Sequence, residues 1–187
     1  YEGIGVDQNY IQAKQWFEQA ADQGHADSQV NLGRMYYKGF GIDQNYTQAK
    51  EWFEKAAAQG DEYAQTYLGA MYADGAGVDQ NYTQAKELFK KAADQGHTKA
   101  QINLGYMYYN GIGVKKNIKE AIKWYKEAAQ QGDANAQHHL DNMGVGAANE
   151  EKHKKVESVK KKEALAKGAV YDGDRVDGKP HGIGGYT

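Results

Sequence analysis

Two features of the sequence have residue types that could carry chemistry: an adjacent histidine pair and a set of Gly-x-Gly segments. Histidine is a common metal ligand, but on a helix His138 and His139 would point roughly 100° apart, and no third ligand is evident beside them. We therefore expect a surface or capping role for this pair and no metal site. No Cys occurs, which excludes disulfides and thiolate metal ligands.

Gly-x-Gly segments can cradle phosphates when they follow a strand and open a helix. Here they follow helical patterns and lack a third glycine at the spacing of the dinucleotide fingerprint, so we interpret them as structural turns. The sequence contains no nucleophile elbow, P-loop, His-Glu-x-x-His motif or zinc-ligand spacing. We predict a protein that is not an enzyme, with no catalytic residues and no cofactor.

The Gly-x-Gly segments recur every 36 residues, beginning at Gly3, Gly39, Gly75 and Gly111. Self-similarity at this period is typical of stacked helical repeats, in which each unit buries its apolar face against its neighbours. Stacks of this kind serve mostly as binding surfaces. The period therefore predicts a kind of architecture and leaves the partner open.

One helix of each unit has apolar residues at i, i+3, i+4 and i+7, as in Ala49, Trp52, Phe53 and Ala56. This spacing forms one apolar helix face, so we expect the Trp residues in the core. An Asn precedes each of these helices and a Gly follows it, which predicts an N-cap and a left-handed C-terminal residue. The caps are Asn9, Asn45, Asn81 and Asn117, and the glycines are Gly24, Gly60, Gly96 and Gly132.

The other helix of each unit carries residues such as Ala64, Leu68, Met71 and Tyr72 at helical spacing. Gly69 lies in the middle of this helix, where Gly costs about 1 kcal/mol relative to Ala. We predict that the close approach of a neighbouring helix offsets this cost. The equivalent glycines are Gly33 and Gly105.

These residues resemble the Sel1-like repeat family. The motifs are Ala-Gln-x-x-Leu-Gly-x-Met-Tyr at 64–72 and 100–108, then Gly-x-Gly-Val, and Ala-x-x-Trp-Phe-x-x-Ala-Ala-x-Gln-Gly at 49–60. The resemblance covers residues 1 to about 143. It implies an all-α fold, a right-handed α-solenoid akin to tetratricopeptide repeats, that works as an adaptor or scaffold for protein complexes. In bacteria such proteins are often exported or contact host and envelope proteins, and in eukaryotes some act in protein quality control at the endoplasmic reticulum.

The same resemblance implies that the first helix of each unit lines a concave face. Its inward positions differ between repeats, which suits either a surface that reads a ligand or unconstrained drift at solvent-facing positions. Tyr and Arg are enriched at interface hot spots, so we predict a protein or peptide partner bound by Arg34, Tyr37, Lys38, Tyr63, Tyr106, Tyr109 and Asn110. The remaining inward positions are Asp27, Val30, Thr66, Ala70, Ala73, Asp74, Lys99 and Ile102.

An alternative function is that of a bacterial envelope enzyme, since binding or hydrolysis of β-lactams has been attributed to some Sel1-like proteins. The sequence has no Ser-x-x-Lys motif and no paired acid and base, which favours the scaffold. Residues 1–149 carry 14 basic and 18 acidic groups, so nucleic acid is a poor partner for the repeats.

Composition divides the chain into a repeat solenoid at 1–145, a charged and helical linker at 146–170, and a β-hairpin at 171–187. Residues 150–167 contain 7 Lys and 4 Glu, which indicates a solvated linker; contact of this basic patch with anionic lipid is the weaker alternative. The last segment resembles a MORN repeat, with Tyr171-x-Gly, a turn at Asp177-Gly178 and His181-Gly-x-Gly. A lone hairpin is marginal in water, so we expect either disorder or an array that continues beyond Thr187.

The chain begins with Tyr1-Glu2-Gly3, which matches Tyr37-Lys38-Gly39. We therefore expect that it starts inside a repeat and that the outer apolar face of its first helix, residues 9–23, is exposed. Nowhere do about 18 consecutive apolar residues occur, so we expect a soluble protein, cytoplasmic or exported in a bacterium.

Overall fold

The computed structural model describes residues 10–145, and this part of the chain is helical without strands. The predicted all-α stack of helix–loop–helix repeats is confirmed. The described residues form α1 (Tyr10–Asp22), α2 (Ala26–Lys38), α3 (Tyr46–Ala58), α4 (Glu62–Asp74), α5 (Tyr82–Asp94), α6 (Thr98–Asn110), α7 (Ile118–Gln130) and α8 (Ala134–Asn142).

Each repeat pairs a first helix with a second helix. α2 packs on α3, α4 on α5 and α6 on α7, and the second helices α1, α3 and α5 each also contact the first helix that follows. The buried core repeats with the same period: Leu68 and Met71 of α4 lie against Ala49, Phe53 and Ala56 of α3. Apolar burial therefore joins neighbours in the stack, as the helical spacing predicted.

The predicted caps are present at the second helices. The Asn45 side chain accepts a hydrogen bond from the backbone N–H of Gln48 at 3.0 Å, and Asn81 does the same for Gln84. Gly60 ends the turn after α3 with φ +92°, a left-handed value that favours glycine. Asn9 lies outside the described residues.

The mid-helix glycines mark the closest contacts between paired helices. A Cβ on Gly69 would lie 2.7 Å from Cδ1 and Cε1 of Phe89, and a Cβ on Gly33 would meet Phe53 at the same distance. Gly105 stands in the same relation to Tyr125, at 2.8 Å from Cε1. The predicted close approach is confirmed: in each repeat an aromatic ring of the second helix lies directly against the first helix.

The prediction that every Trp lies in the core is wrong for Trp16, whose exposed fraction is 63%, whereas that of Trp124 is 2%. Trp52 is half-buried, with Lys55 Nζ 3.7 Å from the centroid of a ring. The difference arises because α1 packs closely only on α2 among the described helices. Phe17 of α1 is also only half-buried, whereas its counterparts Phe53 and Phe89 are buried, as expected for an apolar face that has no second packing partner among the described helices.

Buried glutamines link successive repeats. Gln65 is 5% exposed, and its Oε1 accepts a hydrogen bond of 3.0 Å from Nε2 of Gln95. The same Gln95 amide donates to the carbonyl of Gly60, also at 3.0 Å. Equivalent bonds of 2.8 Å join Gln59 to Gln29 and Gln131 to Gln101.

We expect Gln95→Ala to lower the free energy of unfolding by about 1–3 kcal/mol, because it leaves the buried carbonyl of the Gln65 side chain without its donor. Urea denaturation followed by circular dichroism measures this change. Gln23→Ala is the matched control, since Gln23 holds the same position at the end of α1, and we expect its effect to stay within about 0.5 kcal/mol. Equal losses in the two variants would contradict a role for the link between repeats.

The hydroxyl of Tyr125 is buried without a hydrogen-bond partner among the described residues. Burial raises the pKa of Tyr125 to about 12, with smaller contributions from Tyr106 and Tyr109. Its equivalents in the preceding repeats are Phe53 and Phe89. The site is therefore shaped for a ring and does not require the hydroxyl.

We expect Tyr125→Phe to leave stability unchanged or to raise it by about 1 kcal/mol, because an unpaired buried hydroxyl is removed. The raised pKa also means that the folded wild type loses stability as the pH rises from about 10, where an unfolded Tyr ionises, towards 12. Urea denaturation at pH 7 and pH 10.5 should show a smaller alkaline loss in the variant. A clear loss of stability at pH 7 would indicate a partner for the hydroxyl.

The predicted linker at 146–170 and the MORN-like hairpin at 171–187 lie outside the described residues, and the boundary between them and the repeats stays a prediction. Among the described helices, none is long and apolar enough to cross a membrane.

Candidate functional site

The first helices α4 and α6 border a cleft with two adjoining compartments, which we call the α4–α6 cleft. Ala70 of α4 and Asn103 of α6 line both compartments. Most of the lining belongs to the first helices, whose inward positions differ between repeats. The cleft exists because α4 has small residues where its neighbours have large ones: Ala70 replaces Arg34 and Tyr106, and Ala73 replaces Tyr37 and Tyr109.

The His97 compartment has a volume of about 260 Å³ and is lined by Tyr63, Thr66, Tyr67, Ala70, His97, Lys99, Ile102 and Asn103. Tyr63 meets the His97 ring edge to face, with centroids 4.6 Å apart. The Thr66 hydroxyl donates to the carbonyl of Glu62 at 2.7 Å and lies 2.8 Å from Nδ1 of His97. Because the Thr66 hydroxyl donates its proton to the Glu62 carbonyl, it accepts a hydrogen bond from Nδ1–H of His97. In this neutral tautomer, Nε2 of His97 is the acceptor nitrogen.

Burial lowers the pKa of His97 below its ordinary value of 6.5. Lys99 lowers this pKa further, while Glu62 and Asp61 oppose the shift. The neutral imidazole is therefore the form that the folded protein favours.

A depressed histidine pKa makes folding weaker in acid, because the unfolded chain binds the proton more readily. We expect the stability contribution of neutral His97 to be complete above pH 6.5 and to be lost as the pH falls through the folded pKa, which lies below that value. Urea denaturation at pH 7.5 and pH 5 should show a smaller acid loss in His97→Gln than in the wild type. An equal loss in both proteins would contradict the assignment.

The Phe89 compartment has a volume of about 290 Å³ and is lined by Ala70, Ala73, Asp74, Tyr82, Phe89, Asn103, Tyr106, Met107 and Ile112. Tyr106 and Tyr82 are 50% and 36% exposed, so they form an accessible aromatic rim. Phe89 is 3% exposed and forms a wall. The compartment therefore combines an apolar interior with an acidic group, Asp74, and an amide, Asn103.

Of the residues predicted to bind a partner, Tyr63 lines the His97 compartment and Tyr106 lines the Phe89 compartment. Asn110 is exposed and its Nδ2 donates to the carbonyl of Tyr106 at 3.0 Å. Tyr109 is 38% exposed, and Lys116 Nζ lies 5.4 Å from the centroid of its ring. The structure thus brings two of the predicted residues into one cleft and places two beside it on α6.

The other three predicted residues, Arg34, Tyr37 and Lys38, lie on α2 and do not line the cleft. Arg34 Nη1 donates to Oδ1 of Asn31 at 3.4 Å. Lys38 is exposed, and its Nζ lies 5.2 Å from the centroid of the Tyr37 ring. A binding role for these residues stays a prediction.

Tyr37 is only partly exposed and packs among aromatic rings. Its centroid lies 5.4 Å from that of Tyr46, 6.4 Å from that of Phe53 and 5.8 Å from that of Tyr67. Burial raises the pKa of its hydroxyl, with a smaller contribution from Asp74. Removal of this ring would therefore disturb packing as well as any bound partner.

Several residues of the cleft were not among the predicted binding residues. His97 precedes α6 in a turn, while Tyr82 and Phe89 belong to a second helix that we expected to serve only the core. Asn103 could have been predicted from the sequence, because its position varies between repeats: the equivalent residues are Asn31 and Tyr67. A comparison of the units position by position would have found it.

Comparison with known proteins identifies the repeats. The Sel1 repeat profile matches residues 1–25, 26–61, 62–97 and 98–133. The chain belongs to the Sel1 repeat family. Each complete Sel1 repeat within the described residues consists of a first and a second helix, so the α4–α6 cleft lies between consecutive repeats.

Solved structures show the same Sel1 repeat fold. A Sel1 repeat protein from Oxalobacter formigenes is 38% identical with a TM-score of 0.69, over 73% of this chain and 56% of that one. A protective antigen of uropathogenic Escherichia coli with an SLR fold is 39% identical with a TM-score of 0.73, over 89% of this chain and 36% of that one.

A putative Sel1 repeat protein from Klebsiella pneumoniae is 26% identical with a TM-score of 0.54, over 66% of this chain and 57% of that one. This chain therefore spans less than two thirds of each of these three relatives. All three are bacterial, which supports a bacterial origin. No curated protein sequence matches the chain.

The described residues offer binding groups more clearly than reactive ones. No group of three or more His, Cys, Asp or Glu side chains within them is placed to hold a metal ion. His139 stacks on Tyr125, with ring centroids 4.6 Å apart, so this histidine contributes to packing. Sel1 repeats generally serve as scaffolds for protein–protein interaction, and the cleft offers exposed aromatic and polar groups for such a contact.

Proposed function

We propose that this chain is a non-enzymatic scaffold that binds a protein or peptide segment through the α4–α6 cleft. The observation that carries this proposal is the cleft itself, in which Tyr63, Tyr82 and Tyr106 surround two adjoining apolar compartments. Exposed tyrosines around a small pocket are typical of interface hot spots, where a few anchoring side chains supply most of the binding free energy.

The size of the cleft suits a few side chains of a partner. Its compartments measure about 260 and 290 Å³, each just below the range of about 300–1,000 Å³ for small-molecule pockets. They are open and adjoin at Ala70 and Asn103, so an extended segment can place successive side chains in both. This arrangement favours a peptide over a compact metabolite.

A lysate pull-down with mass spectrometry tests this proposal. We compare the wild type with a Tyr63→Ala, Tyr106→Ala variant, since both side chains are about half exposed, at 52% and 50%. The matched control is Glu87→Ala, Lys91→Ala, which changes exposed residues on the face formed by α3, α4 and α5. A protein captured by the wild type and the control but lost by the tyrosine variant is the expected result. Equal capture by all three would move the binding site away from the cleft.

The absence of enzymatic activity is part of the proposal. Incubation of the purified chain with a chromogenic β-lactam is a direct check, and we expect no turnover above buffer. Turnover that scales with protein concentration would favour the envelope enzyme instead.

A further inference from the structure

The three repeats differ in one aromatic cluster, and the difference creates the Phe89 compartment. In the repeat of α2 and α3, the Tyr37 ring packs against Tyr46, Phe53 and Tyr67, with centroids 5.4, 6.4 and 5.8 Å away. Phe53 and Tyr67 are themselves stacked, with centroids 4.8 Å apart and parallel rings. One phenol ring therefore fills the space between these three aromatic neighbours.

The same positions one period later are Ala73, Tyr82, Phe89 and Asn103. All four line the Phe89 compartment. Tyr82 and Phe89 are kept as aromatic walls, while the central ring is replaced by the methyl group of Ala73 and the outer ring by the amide of Asn103. The compartment of about 290 Å³ is thus a socket for a phenol ring that this repeat does not supply.

The next repeat returns to the aromatic pattern, with Tyr109, Tyr125 and His139 at the corresponding positions. Tyr125 and His139 are stacked at 4.6 Å, with an angle of 17° between their planes. The last complete repeat has Ile118 at the position of Tyr46 and Tyr82. Only the repeat of α4 and α5 therefore lacks both the central ring and the outer ring, and this loss coincides with the α4–α6 cleft.

Two polar groups of the socket lack partners among the described residues. The side chain of Asn103 makes no hydrogen bond there, and the exposed carboxylate of Asp74 forms no ion pair there. Asp74 occupies the position that Lys38 holds in the preceding repeat, where the ammonium group lies 5.2 Å from the centroid of Tyr37. The repeat of α2 and α3 thus has a tyrosine with a cation beside it, whereas the repeat of α4 and α5 has an empty socket with an anion at its rim.

We propose that the Phe89 compartment binds a tyrosine side chain of a partner segment in which a Lys or Arg adjoins that tyrosine and pairs with Asp74. This inference rests on the proposed function and names the chemistry of its partner. The ring packs between Tyr82, Phe89 and Tyr106, and the phenol hydroxyl bonds to the amide of Asn103.

A foreign segment fits this chemistry better than the rest of this chain. Tyr171 and Tyr186, which lie outside the described residues, have no Lys or Arg beside them. Tyr1 and Tyr171 are instead each followed by an acidic residue, which would face the carboxylate of Asp74 with a like charge. The charge at the socket therefore points to a separate partner.

Selection of a random 12-residue phage-displayed library on the full chain tests the inference. We expect enrichment of peptides with Tyr next to Lys or Arg, and we then measure one synthetic peptide by fluorescence anisotropy. Ala73→Tyr fills the socket as Tyr37 does and should weaken this peptide at least about tenfold, as should Tyr→Ala in the peptide. Asp74→Asn should weaken it severalfold and reduce its salt dependence.

Ala58→Tyr is the matched control, because Ala58 is exposed at the end of α3 and does not line the cleft. It should bind as the wild type does. Asn103→Tyr is a second variant, which narrows the socket by introducing the tyrosine that the equivalent position, Tyr67, already carries. This variant is used if Ala73→Tyr fails to fold.

Enriched peptides without an aromatic residue, or equal binding to the wild type and the filled socket, would overturn the inference and leave the scaffold proposal standing. If no peptide is enriched while the pull-down captures a protein through Tyr63 and Tyr106, the tyrosine inference is likewise overturned and the scaffold proposal stands. If neither experiment detects a partner, both proposals fail. Sedimentation that shows a dimer of the wild type and a monomer of Ala73→Tyr would assign the socket to a second copy and overturn the foreign partner.

Discussion

Gly69→Leu should lower the free energy of unfolding by more than about 3 kcal/mol, beyond the usual cost of an overpacked core. A Cβ at this position would already lie 2.7 Å from two carbons of the Phe89 ring, and the remaining atoms of Leu extend further. Phe89 is 3% exposed and lines the Phe89 compartment, so Leu can be accommodated only if the ring is displaced into that compartment or α4 and α5 separate. Either change breaks the buried contact between the two helices, although Leu is the better helix former by about 0.8 kcal/mol.

Ala70→Leu is the matched control, because the next residue of the same helix faces the open cleft. We expect this variant to change stability by no more than about 0.5 kcal/mol. Urea denaturation of both variants, followed by circular dichroism, measures the difference. Equal effects would reject the close contact between the two helices. A Phe89→Leu change should recover part of the loss in Gly69→Ala, since residues in contact do not act additively.

Phe53→Ala should cost about 3–5 kcal/mol, the range for removing a buried aromatic ring. The side chain is 0% exposed. Its ring lies against Gly33 on one side and stacks on Tyr67 at 4.8 Å on the other. Because α2 and α4 both touch this ring, its loss leaves a cavity between two repeats instead of a local defect.

The control for this second prediction is Tyr63→Ala, in which a ring of similar size is 52% exposed. It should cost no more than about 1 kcal/mol. Urea denaturation of both variants measures these losses, and thermal unfolding gives an independent check. A loss for Phe53→Ala as small as that for Tyr63→Ala would mean that the repeats repack around the cavity.

The repeating units could be predicted from the sequence in some detail because their signals are local. Asn45 caps α3 through the backbone N–H of Gln48, only three residues away, and Gly60 takes the left-handed conformation where the helix pattern stops. The close helix contact at Gly69 could also be predicted, since a mid-helix Gly is costly unless a neighbouring group lies against it. Four copies of one pattern, rather than one, separated these signals from chance.

The candidate site could be predicted only in part. Tyr63 and Tyr106 were identified as exposed aromatic residues on the first helices, and they line the cleft. Tyr37 has the same residue type and a related position, yet it packs among Tyr46, Phe53 and Tyr67. Residue type at an inward position does not reveal whether a ring is free to bind, because that depends on residues about one period away.

By itself the sequence determined the repeat, its helices and its caps, since hydrogen bonds within a helix and apolar periodicity depend on neighbours only a few residues apart. The tertiary structure alone decided where the stack is open. Ala73, Phe89 and Asn103 are each unremarkable in their own helices, and they form a socket only because packing brings three helices together around missing rings. A cavity arises where side chains that are distant in the sequence fail to fill the space between them, and a local sequence pattern does not show how well they fill it.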